Sequence, residues 1–349
     1  MTAMTAMTVP RLDILAYGEA MLEFNQTGED DGRRYLQGFG GDSSNFAIAA
    51  ARQGACVGYW SALGDDANGR ALRALWRSEG VDQRCVRSDP AGFTAVYFVT
   101  HGERGHEFHF YRRGSAASRI SPADVPRAAI ATARVFHLSG ISLAISESAC
   151  DAGYAAIEVA RAAGAQVSFD TNLRLALWPL DRARAVMIDV LQRCDIALPS
   201  WDDVTAITGL ADPDAIVDHC LRLGARIVAL KMGAQGALVA DADQRHRIAA
   251  FPCRALDATG AGDTFGGAFV ARLVAGDGLL QAGRYAAAAA ALSTQGYGAV
   301  APIPRADTVR AALAAARPSL KQLLLSEAAR GELPVRARGT SKRRSPPEL

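Results

Sequence analysis

The pattern that most restricts how this chain can fold is a recurring unit. A short apolar run ends in a Gly or polar residue and leads into a helical stretch. A first apolar run at 12–18 closes on Gly18 and Glu19, and the unit then occurs at 56–63 before Gly64-Asp65-Asp66, at 135–139, at 166–170, and at 196–200 before Trp201-Asp202-Asp203. Short continuous apolar runs read as strands buried on both faces, and strands alternating with helices build a parallel sheet covered on both sides. The fold class is therefore α/β, and polar residues at the carboxyl ends of its strands are candidate ligand groups. With 349 residues, half of them apolar, and a net charge of +2, the chain suits one large domain. That charge balance gives no drive toward nucleic acid or a membrane surface.

One stretch breaks the alternation. Residues 95–100 and 106–112 are β-rich runs around His101-Gly102-Glu103-Arg104-Gly105, a hairpin with no helix between its strands. It reads as part of a small second sheet, with strands from about 20–40 and 93–113, lying over the main domain as a lid. The hairpin runs into Phe110-Tyr111-Arg112-Arg113-Gly114-Ser115. An Arg leaving a lid strand is placed to clamp a carboxylate, and adjacent residues on a strand face opposite ways, so only one of the two turns inward. Upstream, Gly40-Gly41-Asp42 precedes a small-residue helix at 43–51 with polar caps. Asp42 and Asn45, one turn apart, can both reach a polyol hydroxyl; alternatively Asp42 only caps the helix. Asp65 has the same two readings. At the end of the 166–170 run, Asp170, Asn172 and Arg174 gather where polar groups need partners or a ligand, the plain alternative being an Asp170–Arg174 pair.

The most informative loop lies late in the chain: Asp257-Ala258-Thr259-Gly260-Ala261-Gly262-Asp263, turning into an apolar helix at 265–274. A Gly-rich loop at a helix N-terminus offers unpaired N–H groups to an anion such as phosphate. A carboxylate there repels an anion unless it has work to do, and taking a proton from an attacking hydroxyl is such work. The competing reading is that Asp263 merely caps the helix.

The rest of the chain adds less. Six cysteines lie far apart without metal spacing and read as reduced core thiols of a cytoplasmic protein. Residues 1–11 have neither a basic start nor an apolar core and read as a disordered N-terminus, not a signal peptide. Residues 319–349, rich in Arg, Lys, Pro and Ser, read as a basic disordered tail. No apolar run reaches membrane-spanning length.

Taken in order, Gly40-Gly41-Asp42 with Asn45, a β lid, Lys231-x-Gly233-x-x-Gly236, and Asp257-x-Thr259-Gly260-Ala261-Gly262-Asp263 resemble the ribokinase (PfkB) family of carbohydrate kinases over roughly residues 12–316. The resemblance implies a three-layer α/β/α kinase domain at 12–318 with a β-sheet lid, and ATP-dependent phosphorylation of a sugar hydroxyl with Mg²⁺. It implies that Asp263 is the general base and that the amides of Gly260, Ala261 and Gly262 form an anion hole. Ser200, Lys231, Gly233, Gly236, Thr259, Gly260, Gly262 and Gly298 would lie along the nucleotide. Gly41, Asp42, Asn45, Phe110, Arg112, Asp170 and Arg174 would line the sugar site. Many members carry Asn-x-x-Glu where this chain has Ser200-Trp201-Asp202-Asp203, so Asp203 stands where the residue that organises Mg²⁺ water would be.

Within the family, Phe110-Tyr111-Arg112 and Asp170-x-Asn172-x-Arg174-x-x-Leu177-Trp178 are similar to 2-keto-3-deoxygluconate kinases, whose substrate carries a carboxylate that two convergent Arg residues would neutralise. The alternatives are a neutral-sugar kinase (fructokinase- or ribokinase-like) and a non-catalytic sugar-binding regulator of the same fold. A nicotinamide dehydrogenase is set aside because the Gly loop does not follow the first strand. Lid sheets of this family often pair between subunits, which implies a homodimer.

Overall fold

The computed structural model describes residues 11–27, 32–102 and 105–316. The expected N-terminal arm, except Arg11, and the basic tail lie outside the described residues. Thirteen strands are described: β1 Ile14–Tyr17, β2 Met21–Gln26, β3 Tyr35–Gly40, β4 Val57–Gly64, β5 Val86–Asp89, β6 Val96–Gly102, β7 Gly105–Tyr111, β8 Val135–Ser139, β9 Gln166–Asp170, β10 Ile196–Ala197, β11 Ile227–Lys231, β12 Ala237–Ala240 and β13 Arg245–Ile248. The helices are α1 Asp42–Arg52, α2 Ala67–Ser78, α3 Arg127–Thr132, α4 Gly140–Ala144, α5 Glu147–Ala163, α6 Leu180–Leu191, α7 Trp201–Thr208, α8 Pro213–Leu223, α9 Ala261–Val274, α10 Leu279–Ser293 and α11 Ala306–Ala315.

Nine strands form one sheet in the order β13-β12-β11-β10-β9-β8-β1-β4-β5, parallel except for β12 and β13, which run antiparallel to their neighbours. Strands β1, β4, β8 and β12, all with a neighbour on each side, are buried at every position, as strands covered on both faces must be. Helices α1, α9 and α10 pack together on one side; α3, α4 and α5 form a group packed against β8 and β9. Strand β1 pairs with β4 on one edge and with β8 on the other, so the chain winds both ways from it. A crevice opens beyond the carboxyl ends of strands at such a switch point.

The hairpin expected after residue 95 is present and belongs to a separate four-stranded sheet, β3-β2-β6-β7. Register fixes its two faces. Glu23 pairs with Gly38 and Tyr97, and Tyr97 pairs with Phe110, so Glu23, Tyr97 and Phe110 share one side. Phe24, Phe98 and Tyr111 occupy the other. A buried cluster of Met21, Ala95, Tyr97 and Val99 marks the first face as the one turned to the core.

All six cysteines are free. Cys150, Cys194 and Cys220 are buried as expected of core thiols, but Cys56 and Cys253 are exposed. Both sit in connections between elements, where an apolar neighbour does not guarantee burial. Among the described residues no helix is long and apolar enough to cross a membrane.

Candidate active site

Helix α1 begins where the lid returns to the core. Its N-cap is Gly41 at φ 103°, where an added Cβ would lie 2.3 Å from the Glu19 carbonyl oxygen, so only glycine fits. No side chain caps α1, which corrects the expectation of polar caps. Asp42 is instead the first helical residue, and its Oδ2 accepts a hydrogen bond from Asn172 Nδ2 at 3.1 Å. Its other oxygen, Oδ1, is buried without a partner, as is Oδ1 of Asn45 one turn later. An unpartnered buried polar group costs about 1–3 kcal/mol. Two orphan acceptors on residues one helical turn apart suit a ligand that brings hydrogen-bond donors, as a polyol does.

Asn45 Nδ2 donates to Asp263 Oδ2 at 2.8 Å, across 218 residues of sequence. The contact exists because α9 lies close on α1: a Cβ at Gly267 would sit 2.4 Å from the Phe46 carbonyl oxygen. Helix α9 starts at Ala261, four residues earlier than the apolar run suggested, with Gly260 as its N-cap in the left-handed conformation (φ 74°). Asp263 is thus inside the first turn and makes no cap hydrogen bond, so the capping reading does not hold. Burial pushes its carboxyl up to about 7; the charges of Asp42 and Asp170 add to the rise, while the Asn45 hydrogen bond and Lys231 oppose it.

The Ala261 N–H donates to the Ala258 carbonyl at 3.1 Å, so this amide, expected in the anion hole, closes a turn instead. A Cβ on Gly262 would lie 3.7 Å from Lys231 Nζ, which places an ammonium beside the helix N-terminus. Thr259 gives both its N–H and its hydroxyl to Asp257 Oδ1, at 2.9 and 2.6 Å, and Gly298 N–H reaches Asp257 Oδ2 at 2.9 Å. Asp257 therefore ties the Thr259 loop to the Gly298 loop, and the Thr259 hydroxyl is spent within the protein.

At the end of β9 the partner of Asp170 is Lys231, Nζ to Oδ2 at 2.5 Å, with only 11% and 5% of the two side chains exposed. The Asp170–Arg174 pair is not formed. Burial raises the Asp170 carboxyl above its usual range, and Lys231 opposes the rise. Lys231 lies two strands away in the sheet, and Ser200, beyond β10, bridges to it. The turn carrying Gly233 and Gly236 follows directly, both at positive φ (55° and 86°). Asp203 Oδ2 accepts from Thr171 Oγ1 at 2.9 Å and from Leu173 N–H at 3.2 Å, bracing the loop after β9.

Of the two Arg residues expected to converge, Arg112 is ion-paired within the protein and Arg174 is exposed. Arg112 Nη2 forms an ion pair with Glu19 Oε2 at 2.6 Å, and Ser115 Oγ donates to the other oxygen of Glu19. Burial raises the Glu19 carboxyl, and Arg112 and Ser115 oppose the rise. Arg174 is exposed and donates to the Leu173 carbonyl at 2.8 Å. Arg113 and Asp65 are also exposed; Asp66 caps α2. Phe110 stacks on Tyr97 at 5.4 Å with 46% of its surface open.

Sequence reasoning passed over Glu23, which is buried on the core-facing side of the lid. The Tyr97 hydroxyl donates to it, and a Cβ on Gly298 would lie 3.1 Å from its Oε1. Burial raises its carboxyl, and Asp257 adds to the rise. The signal was there: Glu23 is a lone charge in Met21-Leu22-Glu23-Phe24, at an inward position of the alternation.

The residues present fit a bound nucleoside triphosphate. An ammonium and the open first turn of α9 face one spot, with a carboxylate of raised pKa beside them. No cluster of three metal-ligating side chains occurs among the described residues. A Mg²⁺ here would be held chiefly by phosphate oxygens, with Asp203, whose Oδ2 is engaged by Thr171 and Leu173, as the nearby carboxylate expected to organise its water.

The comparisons agree with this geometry. Residues 11–306 match the model of the pfkB family carbohydrate kinases. Fructokinase-1 of Oryza sativa subsp. japonica is 34% identical over 307 residues, covering 83% of this chain and 94% of that protein. The 2-dehydro-3-deoxygluconokinase of Thermoproteus tenax is also 34% identical, covering 84% and 92%. An Escherichia coli protein assigned as ribokinase II and solved with ATP and Mg²⁺ superimposes with a TM-score of 0.80 at 27% identity, covering 87% of this chain and 99% of that one. The fold is therefore ribokinase-like, and the chain belongs to the PfkB family of ATP-dependent carbohydrate kinases.

Proposed function

We propose that this kinase phosphorylates the terminal hydroxyl of 2-keto-3-deoxy-D-gluconate, with Asp263 as the general base. The observation that carries the chemistry is the half-buried Asp263 carboxyl, raised to about 7 and hydrogen-bonded to Asn45, whose Oδ1, like that of Asp42, is an orphan acceptor. A base poised near neutrality takes a hydroxyl proton without being permanently neutralised. Asp42 and Asn45 accept hydrogen bonds from the sugar hydroxyls and fix the attacking oxygen against Asp263. ATP with Mg²⁺, when bound, supplies the phosphoryl group and offsets part of its charge. Lys231 and the first-turn amides of α9 stabilise the negative charge that develops as the group transfers. Glu23 and Tyr97 place the lid over the Gly298 loop and exclude water.

The choice of a sugar acid rests on Arg174, whose exposed guanidinium stands two residues after Asn172 at the same strand end. Arg112 is already paired with Glu19, so the reading leans on Arg174 alone. One charge-assisted hydrogen bond is worth about 1.5–3 kcal/mol, or about one to two orders of magnitude in preference. The loss of the second Arg favours a second reading, a fructokinase-like enzyme acting on a neutral sugar.

A coupled assay with ATP and Mg²⁺ on 2-keto-3-deoxygluconate, gluconate, fructose, ribose and glucose separates the two. We expect the keto-deoxy acid to turn over fastest, and Arg174→Ala to raise its KM by about 10- to 100-fold while sparing fructose. Fructose as the best wild-type substrate, with Arg174→Ala silent, selects the neutral-sugar reading. The lid also carries an assembly proposal. Its outer face exposes Tyr111 (61%) and Tyr35 (39%) around Phe98, a surface suited to pairing with a second lid.

A further inference from the structure

Among the described residues, Asn172 is the one non-glycine residue in the left-handed region, at φ 32°. Such a backbone is strained for a side-chain-bearing residue, though Asn tolerates it better than most. Strain of this kind persists only where the surroundings enforce it, and it collects at functional sites.

Two hydrogen bonds enforce it here. The Asn172 N–H donates to Asp170 Oδ1 at 3.2 Å, and its Nδ2 donates to Asp42 Oδ2 at 3.1 Å across 130 residues of sequence. Asp170 is itself anchored by Lys231. Asn172 therefore links the fixed end of β9 to the first turn of α1. Its effect falls on Asp42. Engaging Oδ2 stops the carboxylate from turning, and the oxygen left over, Oδ1, is buried and unpartnered, as is Oδ1 of Asn45 one helical turn on.

We infer that Asn172 is a positioning residue for the acceptor sugar: its amide holds the Asp42 carboxylate so that Oδ1 faces an incoming hydroxyl, and its left-handed backbone is what lets the amide reach across the crevice. The inference rests on the reading of this site as a sugar kinase. A purely structural Asn172 would contribute to stability and affect both substrates alike. A positioning Asn172 affects the sugar and leaves the nucleotide untouched.

Two variants separate these roles. Asn172→Gly accepts the same φ without strain and lacks the amide. Asn172→Asp keeps the shape and sets a carboxylate against Asp42. Each is measured with ATP and whichever of 2-keto-3-deoxygluconate and fructose the wild type phosphorylates, alongside Tm. For Asn172→Gly the sugar KM rises about tenfold or more, while the ATP KM stays within about twofold and Tm is not lowered. For Asn172→Asp the sugar KM rises at least as far. An Asn172→Gly enzyme with sugar KM within about twofold of wild type overturns the inference, as does a parallel rise of both KM values with a lowered Tm. A wild type inert toward both sugars fails the kinase reading and takes this inference with it; an active wild type with an unaltered Asn172→Gly fails the inference alone.

Discussion

Asp263 is a carboxylate held where ionisation is costly, and that cost has a sign that can be read in two ways. The base must be ionised to act, so with its carboxyl at about 7, kcat/KM for the sugar should fall about tenfold per pH unit below 7 and level off above it. Stability runs the opposite way. The folded state binds this proton more tightly than the unfolded chain, whose carboxyl titrates near 3.8. The contribution of the group is therefore full below about pH 4 and is lost as pH rises through about 7. Asp263→Asn should then raise Tm relative to wild type at pH 8 and leave it nearly unchanged at pH 4, by calorimetry. Lys231 offers a different test. Lys231→Met strands the buried Asp170 carboxylate and should cost roughly 3–5 kcal/mol of stability in a urea titration. Adding Asp170→Asn should recover most of that loss without restoring turnover.

At the scale of elements, the α1–α9 contact decides whether the site exists. Gly267 lets the two helices approach, and a methyl group there must push α9 away from the Phe46 carbonyl. Gly267→Ala should cost about 1–3 kcal/mol and cut turnover, because Asn45 then no longer reaches Asp263. That contact also shows where reading the chain alone stops. The strand–helix alternation and the lid hairpin follow from local periodicity and turn chemistry, and the structure contains both. The start of α9 was misplaced because Gly-Ala-Gly looks like loop, whereas a left-handed Gly260 starts the helix at once. Partners set by the sheet were invisible: Asp170 pairs with Lys231 rather than the nearby Arg174 because strand order brings β11 within reach. Likewise Arg112 found Glu19, 93 positions away in sequence, by the lid folding back onto the end of β1.

For the molecule as a whole, the Glu19–Arg112 pair is where the lid leaves the core. Arg112→Ala should lower Tm and slow every sugar alike, acid or neutral, which separates it from Arg174. The outer lid face adds a prediction about assembly: wild type should elute as a dimer in light scattering, and Tyr111→Glu as a monomer. The most direct test of the account concerns the base. Turnover of ATP with the preferred sugar is measured for wild type and Asp263→Asn at pH 8, with folding verified by calorimetry. The account predicts a loss of about 10²–10⁴-fold in kcat in a fully folded variant. A folded Asp263→Asn enzyme with near-wild-type kcat would contradict it.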